Sequence, residues 1–191
     1  MSGSRLRKWI FVLMLVPLVG SAYELPDPYR YRALPNALDL FETGLYWLRD
    51  FSGPGGQGDP ASTLAAMQDV AARQFDFAAI AWATAGIRYL QMDMLSRSHY
   101  QNRLRDRLFG ELARVFGLYD PIPPSFSVLM PRQTGIGTVM GGMLIRPRHR
   151  ASQWVYFHFR LGPQGWKVVD VSVNGRLFTS HVRQDFGPVM P

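Results

Sequence analysis

Apolar side chains in the first part of the chain recur every three or four residues, which is the period of an amphipathic helix. One such stripe predicts a helix over residues 36–50, and a second helix is predicted over 61–73. Asp76 is placed to cap the start of a third helix. A longer helix is predicted to begin at Ser96 or Ser98, and a proline-rich segment follows it.

After Pro124 the apolar period changes to two, which predicts β-strands. In the fourth strand, strict alternation assigns Val169 and Val171 to one face. It assigns Trp166 and Val168 to the other face. The predicted strands span 126–130, 137–146, 152–161 and 166–174.

The predicted order is helices first, then antiparallel strands, then a short helix within residues 176–189. This order predicts an α+β fold. We expect the helices to pack on one face of a curved antiparallel sheet, which gives a cone with an apolar interior. Such an interior is either filled by side chains or hollow. The hydrophobic pattern alone leaves both possibilities open.

The first 22 residues have the three parts of a secretory signal. Arg5, Arg7 and Lys8 form a positive region, and the apolar run 9–19 follows it. This run is shorter than the roughly 20 apolar residues that a membrane span needs. We therefore expect cleavage after Ala22 and export to a bacterial periplasm.

Residues 23–191 are predicted to form one domain, with a loop rich in glycine and proline at 52–60. The absence of cysteine excludes disulfides, thiolate metal sites and a cysteine nucleophile. The chain has 21 lysines and arginines against 14 acidic residues, but three of the basic residues belong to the signal. We interpret the arginines of the long helix as a solvated face and expect no nucleic-acid partner.

No segment has the spacing of a known catalytic motif. The GxSxG, HExxH and P-loop patterns are absent, and the four histidines lie in separate predicted elements. Asp76 and Asp170 are carboxylates in apolar surroundings, for which a helix cap and a hydrogen-bonded structural residue are sufficient roles. We therefore expect no enzymatic activity, no metal and no cofactor. An enzyme that uses Asp170 or Asp76 as a base is the alternative.

The end of the sequence resembles the MlaC family, also called toluene-tolerance or organic-solvent-tolerance proteins. Residues 166–175, WKVVDVSVNG, are similar to the closing strand of that family, and 183–186, RQDF, to its last helix. The order of signal peptide, helices and the Phe-Asp-Phe segment at 75–77 also agrees. The pairs at 99–100 and 176–177 depart from the family pattern and indicate a divergent member, such as those encoded with hopanoid synthesis genes.

This resemblance implies a fold like that of nuclear transport factors and a function in lipid transport. Members are periplasmic phospholipid-binding proteins that hold acyl chains between sheet and helices and leave the head group in solvent. They shuttle lipid between an inner-membrane ABC transporter with an MCE-domain protein and an outer-membrane lipoprotein complex, which serves outer-membrane lipid asymmetry. A periplasmic adaptor of the same fold that binds only protein is the second interpretation.

The alternation of the strands and the bulky helical residues define an expected lipid site, with Met94 near its mouth. A Val171→Trp substitution is expected to displace lipid without unfolding the protein, because a hollow accepts added bulk. Trp166, Asp170 and Gly175 are expected to be structural. The residues expected to contact lipid are Trp82, Ile87, Leu90, Met94, Met140, Leu144, Phe157, Phe159, Val169 and Val171.

Overall fold

The computed structural model describes residues 37, 64–65, 68–69, 71–120, 122 and 124–185. The predicted signal sequence, the loop at 52–60 and most of the first two predicted helices lie outside the described residues. The predicted domain organisation therefore stays a prediction.

Of the described helices, α1 (Phe77–Ala85) begins after an aspartate whose side chain caps it. Asp76 caps α1 as predicted, since its Oδ1 accepts a hydrogen bond from the Ala79 amide at 2.8 Å. Among the described residues, no helix is both long and apolar enough to cross a bilayer. A 3-10 turn at Ala72–Gln74 precedes α1 (Phe77–Ala85), α2 (Ile87–Gln91), α3 (Met94–Val115) and, after the strands, α4 (Phe178–Asp185).

The long helix α3 begins earlier than predicted. The carboxylate of Asp93 accepts hydrogen bonds from the Ser96 amide at 2.8 Å and from the Ser96 hydroxyl at 2.9 Å. A cap at Ser96 or Ser98 is therefore wrong, because Asp93 already satisfies the open amides of the first turn. At the other end, Gly117 has a φ of +64° and ends the helix without strain.

The strands form one antiparallel sheet in which neighbours in sequence are neighbours in space. Helices followed by this sheet and a last helix confirm the predicted α+β class. The first strand is longer than predicted, and the next three agree with their predictions to within a residue or two. The strands are β1 (Ser125–Gly135), β2 (Thr138–Arg146), β3 (Gln153–Gly162), β4 (Gly165–Val173) and β5 (Arg176–Leu177).

A β-bulge changes which residues of β4 face the helices. Phe159 pairs with Val168, although the preceding residue of β3 pairs with Asp170, so Val169 is an extra residue in the strand. Val168 therefore shares the inner face with Val171, and both are buried. The strict alternation predicted for this strand is wrong, because a period of two cannot anticipate an inserted residue.

Two of the expected lipid contacts, Met140 and Leu144, lie on the outer face of the sheet. Met140 pairs with His158, and Leu144 pairs with Trp154. These two partners alternate along β3 with the buried residues Val155 and Phe159, so they lie on the face directed away from the helices. The expectation that Met140 and Leu144 face the helices is wrong, because the consecutive glycines at 141–142 obscure the alternation of β2. The buried inner positions of this strand are Val139, Met143 and Ile145.

The hydrophobic core lies between the inner face of the sheet and one side of α3. The ring of Phe109 packs edge-on against that of Phe75, with centroids 5.4 Å apart. Trp166 of β4 and Val182 of α4 are also buried in this core. Full burial of an aliphatic or aromatic side chain contributes about 1.5–3 kcal/mol. The sheet, α3 and α4 therefore share one hydrophobic core.

Candidate functional site

An open cavity of about 690 Å³ lies between the second half of α3, the end of β4, β5 and the beginning of α4. We refer to it as the α3–β5 cavity. Its volume is within the roughly 300–1,000 Å³ typical of small-molecule sites. It is lined by Arg107, Leu108, Glu111, Leu112, Arg114, Val115, Val171, Val173, Asn174, Arg176, Leu177, Phe178 and His181.

Apolar side chains form the floor of the α3–β5 cavity. Leu108, Leu112 and Val115 follow one another at spacings of four and three, so they lie on one side of α3. Val171 and Val173 face the helix from alternate positions of β4. Leu108, Leu112 and Val171 are buried, so Val115 and Val173, which are only partly buried, supply the apolar surface that a ligand can reach.

A tight turn after β4 brings the chain back to complete the cavity. Asn174 and Gly175 have φ angles of +50° and +80°, a left-handed conformation that glycine adopts at little cost. Arg176 then pairs back onto β4, and Leu177 and Phe178 line the cavity. Gly175 therefore has the geometry of a turn residue.

Charged side chains form the exposed rim of the cavity. The Nε atom of Arg107 is 3.1 Å from Oε1 of Glu111, in an ion pair one helical turn long. Arg114 donates its Nε–H to the Gly110 carbonyl of its own helix at 3.3 Å. Arg176 is exposed on β5. Three arginines against one glutamate give a positive rim beside an apolar floor.

Of the residues expected to contact lipid, Val171 lines this cavity and the others do not. Phe159 is buried in the core, and Phe157 packs against that core, while Val169 is the extra residue of the bulge. The helix residues that were expected to contact lipid face solvent instead. Their exposed fractions are 57% for Trp82, 67% for Ile87, 52% for Leu90 and 87% for Met94.

The break between α1 and α2 accounts for the outward orientation of Ile87 and Leu90. Gly86, with a φ of +60°, ends α1 and redirects the chain. Helix α2 then buries Tyr89 and leaves Ile87 and Leu90 exposed. Met94 lies in a second, smaller cavity of about 390 Å³, lined by Met92, Met94, Arg97, Ser98 and Gln101.

The sequence carried a signal for part of the α3–β5 cavity. Leu108, Leu112 and Val115 belong to the apolar stripe of the predicted long helix. The stripe predicts that they point inward but not that they border a hollow. Arg107 and Arg114 belong to the arginine-rich side of the same helix, and no periodicity distinguishes a solvated face from the rim of a cavity.

Asp170 holds β4 to the beginning of α4. Its Oδ1 accepts hydrogen bonds from the amides of Val171 at 2.8 Å and Thr179 at 3.3 Å. Its Oδ2 accepts one from the Thr179 hydroxyl at 2.5 Å. Hydrogen bonds to a charged acceptor are stronger than neutral ones. The carboxylate is therefore engaged in fixing one wall of the cavity, and Trp166 of the same strand is buried.

His158 and Ser172 form a polar pair on the sheet, with 3.1 Å between Nε2 and Oγ. Burial lowers the pKa of His158, and the charge of Asp170 opposes this in part. In the part of the chain that the structure describes, no three histidine or carboxylate side chains cluster as metal ligands. The lowered pKa makes this pair relevant to how the stability of the fold depends on pH.

Acidification is expected to destabilise the protein through His158. The native state holds a proton on this ring less tightly than the unfolded chain does, so unfolding becomes easier as the pH falls through about 6.5. Glutamine cannot titrate, so the melting temperature of a His158→Gln variant should fall less than that of the wild type between pH 7.5 and 5.5. These two values bracket the ordinary histidine pKa of about 6.5. Substitution of exposed His99 by glutamine is the control. An unchanged pH dependence in His158→Gln would contradict this role.

The fold is similar to that of a phospholipid-binding protein from Ralstonia solanacearum, solved in complex with a phospholipid. The TM-score is 0.62 and the sequence identity 14%, and the alignment covers 81% of this chain and 84% of the other. No known family matches the sequence, and no curated protein is significantly similar to it. At this identity the similarity establishes the fold.

Proposed function

We propose that this protein is a periplasmic phospholipid carrier of the MlaC type, which encloses acyl chains in the α3–β5 cavity. The observation that carries the proposal is the apolar floor of this cavity beside an exposed polar rim. A protein of the same fold binds phospholipid. The similarity of residues 166–175 to the closing strand of the MlaC family supports the same ligand class.

Lipid transport through water needs a protein that shields acyl chains. Each methylene group that moves from water to an apolar site gains roughly 0.8 kcal/mol, so a free phospholipid rarely leaves its membrane. The partly buried side chains of Val115, Val173 and Leu177 line the cavity and offer apolar surroundings of the required kind. Such a task needs no catalytic residue and no cofactor.

The proposed partners are those that the resemblance implies, an inner-membrane MCE and ABC transporter complex and an outer-membrane lipoprotein complex. A carrier must dock at each of them. Three large apolar side chains that are exposed on α1 and α2 are the residues we propose for docking on another surface. They are Trp82, Ile87 and Leu90.

Export to the periplasm is part of the proposal and rests on the signal pattern of the first 22 residues. The intact mass of protein recovered from the periplasm of its native host should correspond to a chain that begins at Tyr23. A recovered chain that retains Met1 or Ser2 would contradict export by this signal.

A protein-only adaptor is the second candidate, and the same exposed residues of α1 and α2 favour it. We propose no enzymatic role for the two carboxylates considered above. Asp76 caps α1 and lies 3.5 Å from Arg160, and Asp170 is engaged by Thr179. Both carboxylates therefore have structural roles that are sufficient to account for them.

A vesicle transfer assay tests the carrier proposal. Donor vesicles with fluorescent phosphatidylglycerol are mixed with unlabelled acceptors, and transfer should accelerate in proportion to the concentration of protein. Bound lipid without accelerated transfer would contradict shuttling. The absence of both bound lipid and accelerated transfer would favour the adaptor.

A further inference from the structure

The rim of the α3–β5 cavity carries more positive charge than the shielding of acyl chains requires. Arg107 and Arg114 line it from α3 and Arg176 lines it from β5, and Glu111 is the acidic residue among the lining side chains. Acyl chains need only the apolar floor. The charge of the arginines is therefore suited to the polar end of the ligand.

The arginines of α3 differ in how far their charge is neutralised. Arg107 and Arg114 are seven residues apart, which places them on one side of the helix and about 10 Å apart along its axis. Glu111 lies between them and pairs with Arg107. Arg114 uses its Nε–H for the Gly110 carbonyl, and in the described residues no carboxylate pairs with it.

Arg176 reaches the same cavity from the opposite wall. It is exposed on β5, next to the turn at Asn174 and Gly175, and it forms no ion pair within the described part of the chain. Arg114 and Arg176 thus line one opening from two walls, and among the described residues neither pairs with a carboxylate. A guanidinium can offer parallel N–H donors to two oxygens of one phosphate. A phosphate anion between the two walls would be attracted by both guanidinium groups.

We propose that the α3–β5 cavity selects amphiphiles with an anionic phosphate head group, which Arg114 and Arg176 hold at the rim while the acyl chains lie on the floor. This rests on the proposed carrier function and adds the class of lipid. It departs from the resemblance, which implies a head group left in solvent. Zwitterionic head groups are disfavoured, because their ammonium brings a positive charge close to the two guanidinium groups.

Competition between two lipids tests this selectivity. Protein purified after expression of the complete chain is incubated with equimolar vesicles of dioleoylphosphatidylglycerol and dioleoylphosphatidylcholine. The bound lipids are then extracted and quantified by mass spectrometry. Wild type should prefer phosphatidylglycerol about tenfold, which corresponds to about 1.4 kcal/mol. The double variant Arg114→Gln with Arg176→Gln should take up both lipids nearly equally, and added salt should weaken the wild-type preference.

A matched control removes the same charge elsewhere. Arg105→Gln with Arg148→Gln changes two arginines that do not line the cavity, and it should keep the preference. Loss of preference in this control would overturn the assignment, because the effect would then follow net charge alone. Melting curves verify that each variant is folded, and the ratio of the two lipids does not depend on how much protein is loaded.

The outcomes separate this inference from the carrier proposal. Equal uptake of the two lipids by wild type, or an unchanged preference in the double variant, overturns the head-group assignment alone. Uptake of neither lipid overturns both. Inorganic phosphate should leave the ratio unchanged relative to chloride of equal ionic strength, because acyl chains anchor the head group at the rim. If phosphate abolishes the preference, the rim binds free phosphate and the lipid assignment is wrong.

Discussion

A Val173→Trp variant is expected to remain folded and to lose its lipid. Val173 packs against the core but is only partly buried and lines the α3–β5 cavity at the end of β4, so an indole there has room to extend into the hollow. Displacement of only two methylene groups of an acyl chain would remove about 1.6 kcal/mol, which is more than tenfold in affinity. Lipid extracted from equal amounts of folded protein measures the effect.

Val128→Trp is the matched control for this substitution. Val128 is an exposed valine of β1 that does not line the cavity, and its tryptophan variant should retain lipid. Full retention of lipid by Val173→Trp would show that the acyl chains lie elsewhere. Val171→Trp is no longer a suitable test, because Val171 is 2% exposed. An indole at that position overpacks the core at a cost of about 1–3 kcal/mol.

An Asp170→Ala variant is expected to be destabilised by about 3 kcal/mol, since it leaves the amide and hydroxyl donors of Thr179 without their acceptor. For a chain of this size, that corresponds to a fall in melting temperature of roughly 6–12 °C. Thermal unfolding followed by circular dichroism measures it. The wall formed by α4 should loosen, so bound lipid should also decrease.

Asp170→Asn separates the hydrogen bonds from the charge. Its Oδ1 can still accept from the amides of Val171 and Thr179, and its Nδ2 can donate to the Thr179 hydroxyl oxygen. The asparagine variant should therefore lose less than half as much stability as the alanine variant. An unchanged melting temperature with loss of function would contradict the structural role and favour an enzyme that uses this carboxylate.

The fold class was predictable because the apolar period itself changes after Pro124, and each period belongs to one type of element. The order of helices and strands follows directly from that change. The faces of β3 were also predictable, since its apolar positions alternate without interruption. The faces of β2 and β4 were not, because two consecutive glycines and one extra residue, Val169, break the alternation.

The site was predictable only in part, for a related reason. Periodicity identifies which side of a helix is apolar, and it placed Leu108 and Leu112 on the inward side of α3. Whether an inward residue meets another side chain or an open space depends on where α4 and β5 lie. Their positions are a property of the tertiary structure, which the periodicity of one helix does not contain. Trp82 and Ile87 were expected to face inward because they are large and apolar, but both are exposed, and Ile87 directly follows the turn at Gly86.

The central claim is that the protein carries phospholipid in its folded state. The most direct test is to purify it from the periplasm of its native host without detergent, denature it, and identify the extracted lipids by mass spectrometry. We expect a stoichiometric amount of phospholipid, rich in anionic head groups. Folded protein that releases no lipid on denaturation would contradict the carrier and leave the adaptor as the better explanation.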